Sequence, residues 1–160
     1  MVNKLVGLVY GCAIGEINGL FIDTKHRPCD MHWGFSTDQL LLTIDTLVET
    51  GNVPISTLLQ KLYVYNKHGA LYAERAHNYM DTYSKEVVKS HDVLSSPGKS
   101  AFDEHDKHIN NNNVSTCDNT PLIRCVMVGL YNKWEDFAIS AVLTTHVDHR
   151  CISAGIVIAA

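Results

Sequence analysis

Several polar residues of this sequence lie in segments that are otherwise apolar or small, which makes them candidates for chemistry. Glu16 stands among glycines, Asp23 follows seven residues later, and Asp38 opens a strongly apolar run. The stretch THVD at 145–148 adds an imidazole and a further carboxylate. Carboxylate and hydroxyl oxygens are the usual ligands of hard divalent cations, and histidine can bind or transfer protons near neutral pH. These residues are therefore the first candidates for a cation or ligand site.

Each candidate also has a purely structural explanation. Ser, Thr, Asp and Asn cap helices and form turns, and a buried arginine is usually paired. The structural alternatives are a capping box of Ser36 and Gln39, a cap of the last helix by Thr145 or Asp148, an ion pair of Arg124 with Asp118 or Glu135, a turn at Asn119, and a solvated Asp23 at a helix end.

A second group of ligand-type residues lies in the string DEHDKH at 103–108. Its imidazoles and carboxylates could bind zinc or nickel. Four asparagines follow almost directly, and the sequence shows no second pair of ligands. We therefore predict that residues 102–114 form an exposed loop.

The elements that must position these residues are predicted to be helices. A first helix over 5–21 carries glycines at every fourth position, and close packing of a neighbouring helix on that strip would offset their low helix propensity. Capping boxes at Ser36 and at Thr57 open the next two helices. Apolar periodicity of the helical kind returns over 122–131, 137–142 and 151–158. No segment alternates with a period of two, so the fold class is all-α, a compact multi-helix bundle.

The bulk composition narrows the function classes. The chain of 160 residues is long enough for one domain with a real core, and it is 46% hydrophobic and 19% charged. A net charge of −4 with scattered cations argues against nucleic acid as a partner. No apolar run is long enough to span a membrane. Five cysteines without a C-x-x-C pair favour reduced thiols and a cytoplasmic protein.

Four stretches of the sequence, in order, resemble the ADP-ribosylglycohydrolase family. GCAIGEINGLFID at 11–23 resembles its opening helix, G-x-x-x-G-D-x-x-G followed by an acidic residue. WGFSTDQLLL at 33–42 resembles W-T-D-D-T-D-Q followed by an apolar helix. DNTPLIRC at 118–125 resembles N-G-x-x-M-R, and TTHVDHRC at 144–151 is similar to T-H-x-D-P-R-C.

The resemblance implies an all-α bundle that removes ADP-ribose from a modified arginine or serine with two magnesium ions. ADP-ribose or an ADP-ribosylated protein would then be the partner. Asp23 would be the catalytic carboxylate, and Asp38 and Ser36 would be the remaining metal ligands. The substrate-binding residues implied are Glu16, Thr37, Asn119, Arg124, His146 and Asp148.

The sequence departs from the family pattern where the magnesium ligands belong. In the gap-free register, Gly34, Phe35 and Ser36 take the place of T-D-D; a shifted register keeps one aspartate, Asp38. The family's C-terminal aspartate motif does not occur in these 160 residues. Since two magnesium ions need several carboxylates, we predict weak or no magnesium binding and lost or incomplete hydrolysis.

The last run, CISAGIVIAA, is apolar on nearly every side and ends without a cap. This pattern predicts a bundle that is incomplete at its C-terminus and that self-associates through the last helix. Two functions besides a degenerate hydrolase remain open. One is a module that binds ADP-ribose without chemistry, and the other is a helical interaction protein.

Overall fold

The computed structural model describes residues 2–24, 33–69, 80–90, 95–110, 116–131 and 134–160, and all regular elements within these ranges are helical. The all-α prediction is therefore confirmed. The helices are α1 (Val2–Thr24), α2 (Phe35–Thr50), α3 (Ile55–His68), α4 (Thr82–Lys89), α5 (Pro97–Asn110), α6 (Trp134–Leu143) and α7 (His149–Ala159), with short 3₁₀ turns at Thr120–Arg124 and Val128–Leu130.

Helices α2 and α3 lie at the centre of the bundle. Helix α2 packs against α1, α3 and the 3₁₀ turn Thr120–Arg124, whereas α3 packs against α4, α5 and α6. Helices α6 and α7 form a closely packed pair. The side chains with no exposed surface include Leu40, Val53, Leu58, Leu59, Leu62, Val87, Val88, Cys125, Val128, Ala138, Ala141 and Val142.

Helix α1 packs on the bundle through an apolar face. Leu5, Leu8, Val9 and Cys12 contact the core. A methyl group added to any of the four glycines at 7, 11, 15 and 19 would meet no atom of the described residues within 4 Å. The predicted close packing on the glycine strip is therefore wrong within this part of the chain. The apolar face, and not the small one, determines how α1 docks.

Both predicted capping boxes are wrong. Helix α2 begins one residue earlier, with Gly34 as its N-cap, and no cap hydrogen bond comes from that residue's side chain. Helix α3 begins at Ile55 after Pro54, two residues before Thr57. Proline has a fixed φ and lacks an N–H, so it suits a position where the helix has no need of that donor.

The segment predicted to be a loop over 102–114 is helical as far as Asn110, and residues 111–115 lie outside the described ranges. Its composition is polar, yet one side is buried through Ser100, Ala101 and Glu104. Oppositely charged pairs three or four residues apart, Lys99–Asp103 and Glu104–Lys107, add local support. The polar composition did not predict this helix, because the helix buries only a narrow face.

Helix α7 has one buried face and one open face. A methyl group added at Gly155 would lie 2.7 Å from Cγ2 of Val142 and 3.0 Å from Sγ of Cys125, so the glycine permits the close approach of α6 and α7. Val157 on the opposite face is 75% exposed and Ile158 is 41% exposed. Among the described residues, no helix combines the length and the hydropathy needed to cross a bilayer.

Candidate functional site

Glu16 of α1 caps the start of α2 from twenty residues upstream. Its Oε1 accepts a hydrogen bond from the backbone N–H of Ser36 at 3.0 Å, and its Oε2 accepts one from that of Thr37 at 3.0 Å. The hydroxyl of Thr37 donates a third bond to Oε2 at 2.7 Å. A carboxylate is favourable here because the first N–H groups of a helix lack internal partners and carry partial positive charge.

The same carboxylate occupies the space beside the α carbon of Gly34. A Cβ atom on residue 34 would lie 2.5 Å from Oε1 of Glu16 and 3.0 Å from its Cδ. The backbone of Gly34 is extended, with φ −96°, which any residue adopts. A side chain on residue 34 would therefore displace the carboxylate of Glu16 from its three hydrogen bonds, whereas the backbone itself does not demand glycine.

Phe35 and Asp38 of α2 are directed into the protein interior. Phe35 stacks on Tyr65 of α3 with ring centroids 5.4 Å apart and is 6% exposed. Asp38 is 4% exposed, and its two oxygens accept hydrogen bonds from Nε1 of Trp33 and from the hydroxyl of Tyr65, each at 2.9 Å. Two protein donors thus hold both oxygens of this carboxylate.

A second polar group surrounds Arg124, which has no exposed surface. Its Nε donates to Oε1 of Gln39 at 2.6 Å, and its NH1 donates to the carbonyl of Ala141 at 3.0 Å and to Oγ1 of Thr145 at 2.9 Å. Burial lowers the pKa of Arg124 to about 10. The expected ion pair of Arg124 with Asp118 or Glu135 is not formed among the described residues, since neutral oxygens take these donors.

His146 lies between this buried group and Asp118, which is partly exposed. Its Nδ1 lies 2.8 Å from Oγ1 of Thr145, and its Nε2 lies 3.3 Å from Oδ1 of Asp118, at an angle outside that of a hydrogen bond. Burial alone would raise the pKa of Asp118, but His146 and the backbone N–H of Thr120 lower it to about 2. A buried histidine is thereby connected to a partly exposed carboxylate.

Asp148 caps helix α7, which is the structural alternative foreseen for it. Its Oδ1 accepts from the backbone N–H of Arg150 at 2.9 Å, and the guanidinium of Arg150 holds both oxygens at 3.0 and 2.7 Å. These bonds hold the pKa of Asp148 below its usual range, although burial opposes them. Asn119 stands before the nearby 3₁₀ turn and is exposed.

The structure thus divides the candidate residues into two groups that meet at α2. Glu16, Ser36 and Thr37 form one group, whereas Arg124 and His146 belong to the other. Gln39 of α2 belongs to the second group, because its side-chain amide donates to the carbonyl of Thr120 at 3.3 Å while its oxygen accepts from Arg124. Asp23 lies within α1, but its side chain is outside the described part of the structure.

Sequence reasoning missed the roles of two residues, Gln39 and Asp118. Gln39 was assigned to a capping box and Asp118 to Arg124. For Gln39 the sequence contains a signal, because an amide beside an apolar stripe is expected to be buried and then needs a hydrogen-bond partner. For Asp118 it contains none.

A comparison with protein-family models shows to which family the chain belongs. The model of the family described as ADP-ribosylglycohydrolase matches residues 1–160. The chain belongs to the ADP-ribosylglycohydrolase family. Searches of curated proteins and of solved structures returned no match.

The ADP-ribosylglycohydrolase family depends on metal, but the residues at the T-D-D positions do not fit a binuclear magnesium centre. Gly34 has no side chain, Phe35 is packed in the core, and the backbone N–H of Ser36 is bonded to Glu16. Magnesium requires oxygen ligands in an octahedral arrangement. At the first turn of α2 the described side chains offer the hydroxyl of Ser36, the carboxylate of Glu16, which is already bonded by three donors, and the carboxylate of Asp38, which is bonded by Trp33 and Tyr65.

Proposed function

We propose that this chain is an ADP-ribosylglycohydrolase-family domain that lacks the family's magnesium-dependent hydrolysis of the bond between ADP-ribose and a protein side chain. The observation that carries the proposal is the position of Glu16, whose carboxylate fills the space a ligand side chain on residue 34 would need.

We also propose a cytoplasmic location, which the free thiols of Cys12, Cys117, Cys125 and Cys151 support.

The chemistry of the family reaction explains why this change is decisive. Cleavage at the anomeric carbon develops oxocarbenium character, and a catalyst must orient water and stabilise the spreading charge. Metal ions supply both effects when carboxylates hold them in place. In this chain one of those positions is an aromatic core residue, Phe35, and the carboxylate of Asp38 is held by Trp33 and Tyr65.

Binding of ADP-ribose without turnover is the second candidate function. The exposed side chain of Asn119 next to the partly exposed carboxylate of Asp118 favours it. Arg124, His146 and Asp148, by contrast, are buried and already bonded within the protein. A few remaining hydrogen bonds, each worth about 1 kcal/mol net, do not readily offset the cost of ordering a flexible ligand. We therefore expect weak or undetectable affinity.

Release of ADP-ribose from ADP-ribosyl-arginine and ADP-ribosyl-serine peptides tests the first proposal. The purified chain should show no release above a no-protein control, with either magnesium or EDTA present. An active magnesium-dependent member of the family, assayed alongside, verifies the substrates. Release by this chain that EDTA abolishes, and that Asp38→Asn also abolishes in a folded variant, would overturn the proposal.

Calorimetric titration with ADP-ribose separates the two candidates. No saturable heat is expected at ligand concentrations up to the millimolar range. Micromolar affinity that is lost in Asn119→Ala would favour the binding module, because this exposed residue can be truncated without disturbing the core.

A further inference from the structure

The string at 103–108 contributes to a cluster of ligand-type side chains that lies outside the site described above. Glu104 and His108 are four residues apart on α5 and therefore share one face of the helix. Glu86 of α4 reaches the same place. One ligand atom from each of these three residues lies within 4.8 Å of the others.

We propose that Glu86, Glu104 and His108 form a binding site for a divalent transition-metal ion, for which zinc is the representative cation. Two carboxylates and an imidazole are a set that zinc accepts, and three protein ligands leave coordination positions for water or a further ligand. Ligand atoms about 2.1 Å from one ion lie roughly 3–4 Å apart, so a small closure of the cluster would complete the site.

The two carboxylates of the cluster require positive charge close to them. Nε2 of His108 lies 2.6 Å from Oε2 of Glu86, and Nζ of Lys107 lies 2.6 Å from Oε1 of Glu104. Glu104 is only 8% exposed, which makes its charge costly unless a cation is close. The ammonium of Lys107 provides one, but the Lys107 side chain is 61% exposed and its bond is therefore easily exchanged.

A buried tyrosine packs against the imidazole of the cluster. Tyr83 of α4 is 5% exposed, and its hydroxyl has no hydrogen-bond partner among the described residues. Its ring meets that of His108 edge-on, with centroids 5.3 Å apart.

Access to the cluster is provided by an open cavity of about 850 Å³. Glu86 and Glu104 belong to its wall. The other lining residues are Lys89, Ser90, Asp103, Asp106, Lys107 and Asn110. The wall thus carries four carboxylates against two ammonium groups, a balance that attracts a cation from solution.

Zinc titration of the purified full-length chain, followed by calorimetry, tests the proposal. One zinc ion should bind per chain, and His108→Gln should weaken binding by at least about tenfold, since even loss of a partner outside the ligand set costs that much. His105→Gln, three residues earlier on α5, is the matched control and should leave affinity unchanged. Glu86→Gln changes a side chain that is 43% exposed, so it provides a second ligand variant that does not endanger folding.

Lys107→Gln distinguishes a metal site from an ordinary ion-pair cluster. Removal of the competing ammonium should raise zinc affinity several-fold, whereas a purely structural role for Lys107 would leave it unchanged. Cys117→Ser should retain zinc binding, which excludes the neighbouring thiols of Cys117 and Cys151 as the site. Absence of binding at 1 mM zinc, or binding that Glu86→Gln and His108→Gln leave intact, would overturn the proposal.

Discussion

The carboxylate of Glu16 and a side chain on residue 34 would compete for one volume, and in this protein the carboxylate occupies it. Its Oε1 lies 2.5 Å from the point where a Cβ of residue 34 would be. The family pattern has an aspartate in place of Glu16 and a threonine in place of Gly34. The longer acid and the missing side chain are therefore complementary, and together they form a helix cap at the place where the family pattern has T-D-D.

A double-mutant cycle tests this complementarity. Gly34→Ala should destabilise the chain by about 1–3 kcal/mol, the usual cost of overpacking. In a Glu16→Ala background the same substitution should cost much less, because the clashing carboxylate is gone. The free energy of unfolding in urea measures both. Additive effects of the two substitutions would contradict the steric relationship.

Glu16→Gln should destabilise the chain by about 1–2 kcal/mol, because an amide retains one acceptor oxygen and loses the charge at the helix start. Ser36→Ala is the matched control. If a capping box operated, Ser36→Ala would destabilise the chain by about 1 kcal/mol. With Glu16 as the cap, we expect this substitution to cost less than about 0.5 kcal/mol. Urea midpoints that rank these two variants in the opposite order would restore the capping box.

The helices with a strong apolar period could be predicted from the sequence, and α5 could not. Leu40 and Leu47 on α2, and Leu58 and Leu62 on α3, repeat at helical spacing and lie in the core. Helix α5 buries mainly small or polar residues, such as Ser100 and Ala101, so its hydrophobic pattern is faint. Its stability depends on contacts with α3 and α4, which no local pattern reports.

The candidate residues could be named from the sequence, but their contacts could not. Glu16, Arg124 and His146 are hydrogen-bonded within the protein, and their role in binding a substrate stays a prediction. Their partners come from distant parts of the chain, however, and Gln39 and Asp118 were assigned locally instead. A cap supplied from twenty residues away, as for Ser36, has no signature at short sequence spacing.

Acid should weaken the fold through Asp118. Because its pKa is about 2 when folded against a usual value of 3.8, its carboxylate stabilises the folded state above pH 4. That contribution is lost as the pH falls from about 4 towards 2. Asp118→Asn should therefore lower the free energy of unfolding at pH 7 and flatten its decline below pH 4. Asp136→Asn, an exposed change on α6, is the control, and equal acid profiles for both variants would exclude Asp118 as the cause.

Self-association should depend on the open face of α7. Val157 is 75% exposed and Ile158 is 41% exposed, and we expect a second copy to cover these apolar side chains. Val157→Lys should lower the apparent mass in multi-angle light scattering at a given concentration. Val48→Lys changes an equally exposed valine, 77%, on α2 and should have no such effect. A monomer at all concentrations before any substitution would contradict this role of α7.

The bond from Arg124 to Gln39 joins residues that are 85 positions apart. A guanidinium that is buried without such an acceptor is costly. Early closure of so long a loop is opposed by chain entropy. We therefore expect α2 and the segment around Arg124 to become protected in the same step. Backbone amides of these two regions should then exchange with solvent at a common rate.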